Sequence, residues 1–69
     1  MTNTTRFADI SLKDLLDDFY AAKLDLKAME RLNQLGSTDP RVQERIRGNR
    51  KVIAVIEQEL RDRGEPVPA

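Results

Sequence analysis

One break divides this chain into two equal runs and limits the folds open to it: Gly36-Ser37-Thr38-Asp39-Pro40. Each side of it carries apolar residues at heptad spacing. Leu12, Leu15, Phe19, Ala22, Leu26 and Met29 alternate steps of three and four, as do Val42, Ile46, Asn49, Ile53, Ile56 and Leu60. Such spacing predicts two helices that share a left-handed, coiled-coil-like seam. A connection of a few residues forces them antiparallel, so the fold class is an all-α, two-helix hairpin.

The helix ends are written in the residues. Ser11 is a good N-cap, Asp14 stands at the third position of a capping box, and Ile10 and Leu15 have the spacing of a hydrophobic staple. Gly36 suits the left-handed position just past the first helix. Asp39 and Pro40 supply an N-cap and a first-turn proline for the second. Arg61 and Arg63 suit the negative end of its dipole, and Gly64 ends it. The expected organisation is a polar arm over 1–10, a hairpin with helices over about 11–35 and 40–63, and an extended tail over 64–69 in which Pro66 and Pro68 bar a helix. The expected core is Leu12, Leu15, Phe19, Leu26, Met29, Ile46, Ile53, Ile56 and Leu60. Gly48 lies mid-helix, and folding about the turn brings it near Met29 as a small residue receiving a large one; close approach of a partner helix is the second reading. Asn49 is the polar member of the seam, either a device for fixing register or partner orientation or a residue at its edge, in water.

The seam does not use all the apolar residues. Leu16, Tyr20 and Leu24 form a row beside it on the first helix, and Val52 and Val55 flank it on the second. An apolar arc this wide exceeds what a two-helix contact covers. With 69 residues, the chain is also short for a self-sufficient core. Leu16, Tyr20, Leu24, Val52 and Val55 are therefore the expected partner interface. The expected partner is a second copy, giving a homodimer and a four-helix bundle, because two-fold dimers are the commonest oligomers. Another protein on the same row is the alternative.

Charge supports a partner as well. The chain holds 12 basic and 12 acidic residues and is formally neutral, but the charges are segregated. Residues 27–51 contain seven basic residues against three acidic ones, a balance of +4, and the remainder balances at −4. Two such rods attract head to tail and repel when parallel. Arg41, Arg45, Arg47, Arg50 and Lys51 form the basic end and are the candidate anion or RNA contacts. Overall neutrality ranks nucleic acid below self-association.

Composition removes most catalytic chemistry. There is no cysteine and no histidine, hence no thiol nucleophile, no imidazole base and no zinc site of the usual kind. Asp14, Asp18 and Asp25 share a helix face, but one convex face does not converge oxygens on a cation. No catalytic residue, metal, cofactor or small-molecule substrate is expected. The longest apolar run, Val52 to Ile56, is far below the ~20 residues of a membrane span. The N-terminus has no hydrophobic leader segment, so the expectation is a cytoplasmic protein without a membrane partner.

The stretch Arg45-Ile46-Arg47-Gly48-Asn49-Arg50-Lys51-Val52-Ile53-Ala54-Val55-Ile56 resembles the second-helix signature of the helical-hairpin protein of the large ribosomal subunit, the one near the peptide exit tunnel. The spacing from Ser11 to Gly36 is similar too, and the likeness spans residues 10 to 63. That resemblance implies a hairpin in which Arg45, Arg47, Arg50 and Lys51 contact phosphates of ribosomal RNA.

Overall fold

The computed structural model describes residues 9–68. It contains two helices packed against each other, α1 (Leu12–Gln34) and α2 (Pro40–Asp62), and no strand among the described residues. Each is ~34 Å long at 1.5 Å per residue. Of the proposed N-terminal arm, residues 1–8 lie outside the described residues, as does Ala69 at the other end.

The termini of both helices follow from the residues there. Ser11 Oγ accepts from the Asp14 backbone N–H at 3.2 Å, and Asp39 Oδ1 accepts from that of Arg41 at 2.9 Å. At the C-termini the same motif occurs twice. Gly36 and Gly64 have φ of 91° and 75°, the left-handed conformation that costs glycine least. Gly36 N–H donates to the Asn33 carbonyl and Ser37 N–H to that of Leu32; Gly64 and Glu65 donate likewise to Arg61 and Leu60. These are Schellman motifs, which satisfy carbonyls that the helix leaves open.

The apolar core lies at the end of the hairpin away from the turn. Leu15, Phe19, Ile56 and Leu60 are fully buried there, with Ile10, Leu16, Ile53 and Val67 packed against them. Ile10 before α1 and Val67 after α2 thus close over this core. Arg63 fastens them: its guanidinium donates to the Ile10 carbonyl at 2.7 Å and to Glu59 at 2.7 Å. Toward the turn, Ala22, Val42 and Ile46 are buried, while Leu26 and Met29 are half-buried.

Three expectations need correction. Leu12 is not core; it is 36% exposed. It occupies the first position of α1, where the antiparallel α2 has already ended at Asp62, and Ile10 and Val67 cover the core instead. Leu16 does not stand free beside the seam, because it is half-buried against the core cluster. Gly48 does not receive Met29: a methyl added there would have no atom within 4 Å. Its place on α2 is more than a quarter-turn from the line that faces α1.

Candidate interaction surface

Polar pairs across the hairpin fix which faces the remaining residues occupy. On one side Asp25 accepts from Asn49 Nδ2 at 2.6 Å and from the Arg45 guanidinium, whose Nε is 3.2 Å away. On the other, Arg50 donates to Glu30 at 2.9 Å, and Gln43 donates to Asn33. At about 100° per residue, Asp25 and Glu30 flank the core-facing line of α1 on opposite sides. The hairpin therefore has two seams. A shallow hollow follows each, one edged by Met29, Leu32, Val42 and Arg45, the other by Asn33, Gln43, Ile46 and Arg50.

Placed on this frame, the expected interface residues separate. Val52 and Val55, each 39% exposed, flank the Asp25 seam. Leu16 and Tyr20 flank the Glu30 seam. Leu24 points almost straight away from α2. No flat contact unites all five, and the charged side chains along both seams leave neither as the broad apolar face that a square four-helix bundle would bury.

The structure does unite residues along the outer line of α1. Tyr20 is 54% exposed, Leu24 73% and Leu35 74%, with exposed Ala28 between them. Beside Ala28 lies a hollow edged by Leu24, Lys27 and Arg31. The Tyr20 ring meets Phe19 edge-on, with centroids 5.7 Å apart and planes at 75°. Phe19 is itself buried, with the Lys23 ammonium 5.1 Å from its ring centroid, so Tyr20 stands on a fixed support. Ala28 and Leu35 were not among the expected interface residues. Their signal was present, since the i, i+4 row through Tyr20 and Leu24 continues to Ala28, and Leu35 lies on the same line at i+15.

Much of the basic end is engaged within the chain. Arg45 holds Asp25, Arg50 holds Glu30, and Arg41 folds back on Asp39, the residue that caps its own helix. The bond from Asn49, helped by Arg45, lowers the Asp25 pKa below the ordinary carboxylate value even though partial burial opposes it. Arg41 lowers that of Asp39 in the same way, and Asp39 raises that of Arg41. Arg47 and Lys51 are exposed and make no ion pair among the described residues. Arg41 and Arg45 stand in the first turns of α2, where the helix dipole disfavours positive charge, and their carboxylate partners offset that.

Among the described residues, no group of carboxylates is arranged to hold a metal ion, and no helix is long and apolar enough to cross a membrane. Compared with known proteins, the chain matches no family model, no curated relative and no solved structure.

Proposed function

We propose that this chain is a small protein–protein interaction module that works by self-association rather than catalysis, using the outer face of α1. The observation that carries this reading is the line Tyr20, Leu24, Ala28 and Leu35. An aligned row of exposed apolar side chains, with a leucine 73% exposed in mid-helix between a supported aromatic ring and a hollow, is a surface of the kind that protein contacts bury. Absence of cysteine and histidine from the sequence supports a non-catalytic role. Ion pairing of Arg41, Arg45 and Arg50 within the chain favours this reading over phosphate binding, because each such arginine would have to leave a carboxylate to meet a phosphate.

The test is molar mass in solution. Light scattering coupled to size exclusion, from about ten to several hundred micromolar, is expected to give twice the 7.9 kDa of the chain at the upper end. Leu24→Glu is expected to hold it at monomer mass with its helicity intact, since that side chain touches no core residue. A wild type that stays monomeric throughout removes the reading. Retention on an RNA column that falls steeply with salt would replace it with the phosphate-binding one.

A further inference from the structure

We infer that two copies pair through α1 alone, antiparallel, about a two-fold axis that passes beside Leu24. This inference rests on the self-association proposed above and adds its geometry. Asp17, Leu24 and Arg31 lie seven residues apart, two helical turns each, so they form a line along the outer face of α1. An axis at Leu24 sets Asp17 of each copy opposite Arg31 of the other, and the symmetry makes two such pairs. It also sets Tyr20, four residues before Leu24, against Ala28, four after, where the hollow beside Ala28 offers room for a ring. Leu35 meets the aliphatic stem of Lys13 by the same operation.

Charge selects this orientation over its alternative. In a parallel pair Asp17 would face Asp17 and Arg31 would face Arg31, whereas the antiparallel pair matches opposite signs at both ends. The groups are available for it. Arg31 is exposed and makes no ion pair among the described residues. Lys13 engages only Oδ2 of Asp17, at 3.0 Å, with its own side chain 82% exposed. The assembly is then a row, α2–α1 against α1–α2, rather than a square bundle. One helix pair makes a small interface, below ~1,200 Å², so the dimer is weak and reversible.

A charge-reversal cycle tests the geometry, read as the dimer dissociation constant by sedimentation equilibrium, with circular dichroism confirming that each variant stays helical. Asp17→Arg and Arg31→Asp should each weaken the dimer about tenfold, since each replaces two attractive pairs with two repulsive ones. The double variant should return to within about threefold of wild type at low salt, where screening is weak. Mild oxidation supplies a second measure. Leu24→Cys should link to its own copy, while Lys13→Cys, on the same line but ~33 Å from its symmetry mate, should not. A dimer indifferent to both reversals, or one in which Lys13→Cys also self-links, overturns the antiparallel geometry but leaves self-association standing. A wild type that never dimerises overturns both.

Discussion

At the end of the hairpin away from the turn, Leu15, Phe19, Ile56 and Leu60 are sealed from water, and Ile10 and Val67 from the two chain ends lie over them. Near the turn the helices are joined differently. Asp25 with Arg45 and Asn49, Glu30 with Arg50, and Asn33 with Gln43 close the edges, around a narrower strip of buried Val42 and Ile46. The first end is held by dry packing, which gains free energy in proportion to the area removed from water. The second relies on exposed polar pairs, each of which contributes little in water but demands one register. The difference teaches a division of labour: one end supplies most of the stability, and the other specifies how the helices align.

The largest expected effect comes from breaking the dry end. Phe19→Ala removes a fully buried ring and should cost ~3–5 kcal/mol. That is comparable to the whole stability of a chain this size at ~0.1 kcal/mol per residue. The variant should lose most of its far-UV helical signal at 25 °C. If it melts cooperatively near the wild-type temperature, the turn-proximal half carries more of the fold than its polar edges suggest.

Removing the tail is the next test. Truncation after Glu65 takes away Val67 and keeps the Schellman motif that ends α2. It should cost ~1 kcal/mol, about what half-burying a valine contributes, and lower the melting midpoint by several degrees. Hydrogen exchange should quicken first around Leu15 and Leu60, not near the turn. Exchange that quickens evenly along both helices would mean that the two ends are one cooperative unit.

Both regions show what could be read from the residues alone. The caps and stops were legible because Ser11, Gly36, Asp39, Pro40 and Gly64 act on their own neighbours. Most of the seam was legible because heptad spacing is a property of one helix at a time. What escaped required the register between helices or the path of the ends. Leu12 looks like a seam residue until α2 stops opposite it. Leu16 looks like a surface residue until it is seen packed against the core cluster between the helices. Arg45 and Asp25 are twenty residues apart, and nothing local announces that they meet. The candidate surface was half legible: Tyr20 and Leu24 stood out as a row, but their separation from Val52 and Val55 depends on which seam each one flanks.

Gly48 sharpens the comparison in the opposite direction, since it is a weakness in the turn-proximal half with no packing reason behind it. Gly48→Ala puts a methyl into open space and should stabilise the fold by ~1 kcal/mol through helix propensity. A raised melting midpoint at every protein concentration is the expected result. A gain at low concentration that vanishes at high concentration would place Gly48 inside the self-contact, against the α1 geometry inferred above.

The smallest effect belongs to acid, and it is read at the polar end. Asp25 has a folded-state pKa below its ordinary value of about 3.9 because the charged form accepts from Asn49 and Arg45. A carboxylate with a lowered pKa binds fewer protons folded than unfolded around that pH. Its contribution is therefore complete above the unfolded pKa and is lost as pH falls through the folded one. Acidification from pH 5 to 2 should thus loosen the edge between Asp25 and Arg45. In carbon-detected NMR, the Asp25 carboxyl should titrate below the ordinary aspartate value. Asn49→Ala should move the Asp25 midpoint back up, because Asn49 is the largest cause of the shift. An Asp25 midpoint at the ordinary aspartate value, unmoved by Asn49→Ala, would mean that the bonds to Asn49 and Arg45 are too transient in solution to specify the register assigned to them.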